Sequence, residues 1–131
     1  MSTPFLHVSI LGEQKLIAID SVREILPMML LHEVPPEPGA DGFRGFANVR
    51  GTLVPVYSTS RTPELSADSF IIVFEERARL WGRVVDEVQD IVHIPNDRLS
   101  EAPLDDGGRA RAARMGDDVV GILNPSLASG L

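Results

Sequence analysis

The sequence predicts an all-β fold made of two small barrels that pack together. Extended segments in which apolar and polar residues alternate recur along the chain, as is typical of strands with one buried face. Apolar segments long enough for a helix, with a 3.6-residue repeat, do not occur. The extended segments lie on both sides of a polar stretch at residues 58–69, and each half alone is too short for a deep core.

Most of the expected elements are strands. Leu6, Val8 and Ile10 alternate with polar residues, and the alternation resumes after Gly12, which predicts a hairpin over residues 5–19. The other expected elements follow in order. The first are a single helical turn at the 21–24 capping box, a strand over 24–34 interrupted at Pro27, and a loop rich in Pro and Gly over 35–42. Strands are expected over 52–57, 70–74, 80–88 and 91–94, followed by a mobile polar loop over 100–114 ending in a weak strand at 112–115, a strand over 119–123, and a short helix from Ser126.

Length and composition limit the classes of function. The length of 131 residues is typical of one domain. A net charge of −7 at pH 7 repels nucleic acid and anionic lipid, so protein partners are favoured. The absence of cysteine excludes disulfides, thiol catalysis and thiolate metal sites. Neither a signal peptide nor an apolar run of roughly 18 residues is present, so we expect a cytoplasmic protein without direct membrane insertion.

The most tightly specified stretch is residues 45–56. Gly45, Asn48 and Gly51 are residue types that enter turn conformations easily, which predicts a compact, tightly turned segment over residues 46–50 and no regular helix there. Residues 52–57 are apolar on both faces and predict a buried strand with Pro55 at an edge or bulge. Arg50 therefore lies between an ordered turn and a buried strand. On its own, Arg50 is better interpreted as a solvated surface charge or a cap on a nearby carbonyl than as a binding residue.

Three motifs, in this order and spacing, resemble those of the CheW family of bacterial chemotaxis coupling proteins. The resemblance extends from Phe5 to the terminal Asn-Pro-Ser-Leu turn. The motifs are Val22-Arg23-Glu24-Ile25, Gly45-Phe46-Ala47-Asn48-Val49-Arg50-Gly51 followed by Leu53-Val54-Pro55-Val56, and Gly82-Arg83-Val84-Val85-Asp86. The second motif is fairly specific to this family. The other two support the resemblance through their order and spacing.

The resemblance implies one CheW-like domain over residues 1–131 with two five-stranded SH3-like barrels. The first barrel would span about residues 14–60 and the second about residues 70–123, with the N-terminal strand and the C-terminal helix packing on them. It also implies a scaffold without catalysis or cofactor, whose partners are a methyl-accepting chemoreceptor tip and the regulatory domain of a CheA-like histidine kinase. An alternative is a small β-barrel interaction module of a specialised, non-flagellar pathway.

The resemblance also assigns site residues. Those that match family positions lining or supporting a receptor groove between the barrels are Val22, Glu24, Gly45, Asn48, Arg50 and Val85. The chain departs from the family pattern at Ser58, where Asp is usual, at Arg83, where an aliphatic residue is usual, and over residues 109–115. We expect Arg83 and Asp86 on a surface facing the kinase, with Arg83 on a solvated or paired face.

Two other classes of function are weighed against a scaffold. The three histidines, His7, His32 and His93, show no spacing typical of metal or acid-base sites, and the loop at 105–107 lacks the ligand pattern of a calcium site. A nucleic-acid-binding barrel would use Arg109, Arg111 and Arg114 as a basic stripe, but the net charge opposes it. Neither an enzyme nor a metal site is therefore expected.

Overall fold

The fold consists almost entirely of strands, as the sequence predicts. This computed structural model describes residues 1–60, 62, 64–105 and 107–123. The strands are β1 (Ser2–Ile10), β2 (Glu13–Ala18), β3 (Val22–Pro27), β4 (Phe43–Val49), β5 (Thr52–Tyr57), β6 (Phe70–Glu76), β7 (Arg79–Val85), β8 (Glu87–Pro95), β9 (Leu99–Pro103), β10 (Arg109–Met115) and β11 (Asp118–Ile122). One-turn 3-10 helices at Ile19–Ser21 and Asn96–Arg98 precede β3 and β9. The helix expected from Ser126 lies outside the described residues.

The strands form two sheets that do not correspond to the two halves of the chain. The five-stranded sheet has the order β3-β6-β7-β5-β4, and the six-stranded sheet has the order β8-β1-β2-β11-β10-β9. Strands β6 and β7 follow residues 58–69 and yet belong with β3, β4 and β5. The strand pairing therefore differs from the expected division at about residues 14–60 and 70–123. Long-range pairing, such as that of the parallel strands β5 and β7, determines which strands share a sheet. The order of the strands in the sequence does not reveal this pairing.

Three apolar clusters stabilise the two sheets and their packing against each other. One lies against the five-stranded sheet and includes Ala47, Val54 and Val73, and a second lies against the six-stranded sheet and includes Phe5 and Leu16. The third, which we call the inter-sheet cluster, contains residues of both sheets: Leu6, Val8, Ile10, Ile17, Ile72, Phe74, Trp81 and Val85. Strands β1, β2, β6 and β7 contribute to a sheet core with one face and to the inter-sheet cluster with the other.

Four local expectations are wrong. The turned segment expected over residues 46–50 belongs to β4 as far as Val49, and only Arg50 and Gly51 form the turn. The strand expected over residues 24–34, with an interruption at Pro27, ends at Pro27 and afterwards forms only an isolated bridge at His32, since proline lacks the donor that a strand ladder needs. The helical turn ends at Ser21 instead of beginning there, and the Ser21 hydroxyl donates to the Ala18 carbonyl. The stretch over 100–114 is mostly strand, because β9 and β10 pair and Arg109 forms an ion pair with Glu101.

Gly45 permits the chain to pass close to the segment that follows β3. It has φ +129 at a bulge in β4, and a Cβ there would lie 2.8 Å from the His32 carbonyl oxygen. The next residue, Phe46, exchanges two backbone hydrogen bonds with His32, at 2.8 and 2.9 Å. Glycine is required here both for its backbone conformation and for the space.

We expect Gly45→Ala to destabilise the protein by about 1 to 3 kcal/mol more than the control Gly12→Ala. Gly12 also has a positive φ, +80, but nothing lies within 4 Å of its added Cβ. The difference between the variants therefore reports the clash with His32 together with the less favourable φ at Gly45, and it removes the cost that is common to positive φ. Urea denaturation of both variants measures the difference, and equal losses would contradict the close approach.

Candidate protein-interaction site

Two motif residues that are distant in sequence meet at the surface. Arg50 and Gly51 form the two-residue turn between β4 and β5, with φ +51 and +87, the geometry of a type I′ hairpin turn. The Asn48 side-chain oxygen accepts the Gly51 N–H at 2.9 Å and shapes this turn. Arg50 Nη2 donates to Glu24 Oε1 of β3 at 2.8 Å. The turn thus presents the Arg50 guanidinium at a defined place.

The ion pair changes the titration of both partners. The hydrogen bond from Arg50 lowers the pKa of Glu24, and the hydrogen bond to Glu24 raises the pKa of Arg50. The Arg50 side chain is 74% exposed, so solvent screens the attraction and the stability contribution is small. Because the pKa of Glu24 is lowered on folding, this contribution is present at neutral pH and disappears as the pH falls through that lowered pKa.

The Glu24–Arg50 pair also joins the two margins of the five-stranded sheet. Strand β3 is at one end of the strand order, and β4, which leads into the Arg50 turn, is at the other. A contact of 2.8 Å between them means that the sheet curls around its own core. The exposed guanidinium therefore lies where the two sheet margins come together.

The remaining residues assigned to the groove occupy three different places. Val22 packs on the inter-sheet cluster, and Val85 is fully buried within it. Both support the surface from below, and Val85 makes no part of the exposed surface. Gly45 lies beneath His32, away from the turn. The structure thus brings Glu24, Asn48 and Arg50 together and separates Gly45 from them.

A cleft of about 630 Å³ opens beside β5, the strand that follows the Arg50 turn. Its walls come from β5, the β6–β7 turn and β7; they consist of Pro55, Tyr57, Glu76, Arg77, Arg79, Leu80 and Trp81. The Tyr57 and Trp81 rings meet edge to face with centroids 6.2 Å apart. Burial, and secondarily the charge of Asp41, raises the pKa of Tyr57, so its hydroxyl stays neutral. Sequence reasoning missed this cleft, although the single Tyr and single Trp of the chain were a signal.

Arg83 is buried, and the expectation of a solvated or paired face is wrong. It is 7% exposed, its Nε has no hydrogen-bond partner, and no ion pair among the described residues includes it. Period-2 alternation places Arg83 on the same face of β7 as Trp81 and Val85, which belong to the inter-sheet cluster. Burial lowers the pKa of Arg83. A buried side chain is not available to a kinase surface.

Asp86 connects the two sheets. Its carboxylate accepts the Leu11 N–H at 2.6 Å, and its own N–H donates to the Ser9 carbonyl at 2.8 Å. These bonds fasten the corner between β7 and β8 to the β1–β2 turn, where Leu11 has φ +53. The residue is exposed, but its carboxylate already has a structural partner.

Residues 4–129 match the family described as the CheW-like domain. The chain belongs to the CheW-like domain family. Its fold is similar to that of the scaffolding protein TtCheW from Thermoanaerobacter tengcongensis, with a TM-score of 0.75 and 20% sequence identity. The similarity covers 95% of this CheW-like chain and 85% of TtCheW. No curated protein sequence matches the chain.

The CheW-like chain shows little that favours the competing classes of function. Within the described residues, no group of three or more His, Cys, Asp or Glu side chains could hold a metal ion. Arg109 and Arg111 share one face of β10, and alternation places Arg114 on the other, so the three do not form one basic stripe. No helix in the described ranges is long and apolar enough to cross a membrane.

A second buried arginine, which sequence reasoning also missed, contrasts with Arg83. Arg44 is 2% exposed and donates to the carbonyl oxygens of Ser60, at 3.4 Å, and Thr62, at 2.8 Å. Burial lowers the pKa of Arg44 as well. Its guanidinium nevertheless has acceptors, and it holds β4 against the polar stretch that follows β5.

We expect the two buried arginines to respond in opposite directions to the same substitution. Arg83→Met should raise the free energy of unfolding by about 1 to 3 kcal/mol, because it replaces a buried cation without a counter-charge in an apolar layer. Arg44→Met should lower it by about 1 to 3 kcal/mol, because two carbonyls lose their donor. Urea denaturation measures both, and destabilisation by Arg83→Met would show that this side chain has a favourable partner.

Proposed function

We propose that this protein is a non-catalytic scaffold that couples chemoreceptors to a CheA-type histidine kinase in chemotaxis or a related chemosensory pathway. The CheW-like match over residues 4–129 supports this function, as does the likeness to a protein described as a scaffold. The observation that carries the proposal is the contact between Glu24 and Arg50, which come from two separate motifs of the resemblance. A stability role alone explains this contact poorly, since the pair is largely solvated.

The geometry suits recognition of a receptor helix. Arg50 has five N–H donors and uses Nη2 on Glu24, so most of its exposed donors remain available to a partner carboxylate or carbonyl. Glu24 restricts the guanidinium to one position and so reduces the entropy lost on binding. An apolar surface beside a fixed cation matches the way amphipathic helices dock into grooves.

The other parts of the proposal concern location and chemistry. The scaffold acts in the cytoplasm, where receptor tips and their kinase meet, and needs neither cofactor nor metal. Its contacts are with proteins, since a net charge of −7 opposes nucleic acid and anionic lipid. The receptor groove would use Val22, Glu24, Gly45, Asn48, Arg50 and Val85, with Val85 and Gly45 acting from within the fold.

We expect Arg50→Glu to leave the thermal unfolding midpoint nearly unchanged and to abolish receptor-dependent control of the kinase. Reversing a charge at a recognition site should weaken receptor binding about tenfold or more. The measurement is kinase activity in a reconstituted mixture of receptor, kinase and scaffold, with the affinity for the receptor tip determined separately.

The matched control is the double variant Glu24→Arg/Arg50→Glu, which exchanges the charges and keeps an ion pair between β3 and the turn. If Arg50 recognises the partner, the exchanged variant folds normally and still fails to couple. Restored coupling in the exchanged variant would mean that only the pair matters to function. Normal coupling by Arg50→Glu alone would remove Arg50 from the site.

A further inference from the structure

The cleft beside β5 has two cations at its rim that form no ion pair with a carboxylate of the described residues. Arg77 and Arg79 both line it, and neither takes part in an ion pair among the described residues, whereas Arg23, Arg50 and Arg109 each do. Glu76 is the carboxylate of the lining, which leaves two cations against one anion. The whole chain has a net charge of −7, so the charge of this site is opposite in sign to that of the molecule.

The backbone holds these cations in place. Arg77 and Ala78 form a two-residue turn with φ +51 and +65, and the ladder of β6 and β7 closes directly beneath it at the pair Glu76 and Arg79. A turn of this kind is short and has few alternative conformations. Arg77 and Arg79 therefore stand on a rigid hairpin rather than on a long loop.

The inner wall of the cleft is apolar, and the two donors without acceptors nearby are buried beneath it. Pro55, Leu80, Tyr57 and Trp81 supply the apolar surface. Trp81 is 1% exposed and its indole Nε1 has no hydrogen-bond partner. The buried Nε of Arg83, two residues further along the same face of β7, also lacks a partner.

We propose that this cleft binds an acidic, amphipathic segment of a partner protein, with a Glu or Asp side chain between Arg77 and Arg79 and apolar side chains on the half-buried Tyr57 and Leu80. This inference rests on the proposed scaffold function, because it names the chemistry of a protein partner. It adds a second contact, separate from Arg50, that selects partners by charge.

The first test uses the indole N–H of Trp81, the only tryptophan of the chain, as a reporter in ¹H–¹⁵N spectra. The probe is the peptide Ac-Leu-Glu-Glu-Leu-Leu-Glu-Glu-Leu-NH₂, and its control carries Gln in place of every Glu. We expect the acidic peptide to shift the indole resonance in a saturable way and the Gln peptide to have little effect. An absent response, or an equal response to both peptides, would overturn the proposal.

The second test identifies the residues that select for charge. Arg77→Gln/Arg79→Gln should weaken binding of the acidic peptide about tenfold and reduce its dependence on salt. Arg111→Gln/Arg114→Gln removes the same charge from β10, outside the cleft, and should change the affinity less than about twofold. Equal losses of affinity in the two double variants would mean that net charge alone causes the effect. That result would overturn the cleft as the binding site.

A parallel titration with the kinase regulatory domain and the receptor hairpin of the same organism separates the two proposals. Failure of the wild type to bind either domain, with the peptide still bound in the cleft, would contradict the scaffold function and leave the charge-selective cleft standing. Binding of a domain without a shift of the Trp81 indole, and without an effect of Arg77→Gln/Arg79→Gln, would overturn the cleft proposal alone.

Discussion

The packing of the two sheets through the inter-sheet cluster is the constraint on which the rest of this structure depends. Four strands, β1, β2, β6 and β7, have to be apolar on both faces, since each also contributes to the core of its own sheet. Gly82 shows how tight this arrangement is, because an added Cβ would lie 2.7 Å from Ile71. A side chain on these faces is buried even when it is charged, as Arg83 shows.

The same packing positions the candidate interaction surfaces. Tyr57 and Trp81 lie on the face of the five-stranded sheet that the six-stranded sheet covers, and both also reach the cleft. The Arg50 turn precedes β5, whose later residues form one wall of that cleft. Recognition elements thus stand on a framework that the buried layer keeps rigid, which favours defined partners over adaptable ones.

The sequence predicted the class of fold because alternation, which identifies strands, is a local signal. The Asn and Gly residues around Arg50 predicted a turn in this stretch, but the predicted turn was too long, because residues 46–49 belong to β4. The contact of Arg50 with Glu24, 26 residues away in the chain, came only from the structure, although the resemblance had selected both residues. The orientation of Arg83 was wrong since alternation separates two faces of a strand without revealing which of them another sheet covers.

The strand order has a consequence for the time course of biosynthesis. The five-stranded sheet uses an uninterrupted stretch, Val22 to Val85, so all its strands are synthesised before β8. The six-stranded sheet needs β2 beside β11, at opposite ends of the described chain, and closing roughly a hundred residues of chain is slow. One apolar face of the N-terminal hairpin therefore stays uncovered while the five-stranded sheet forms. In a growing polypeptide, the β2 margin of this hairpin stays open to contact with other molecules until β11 is made.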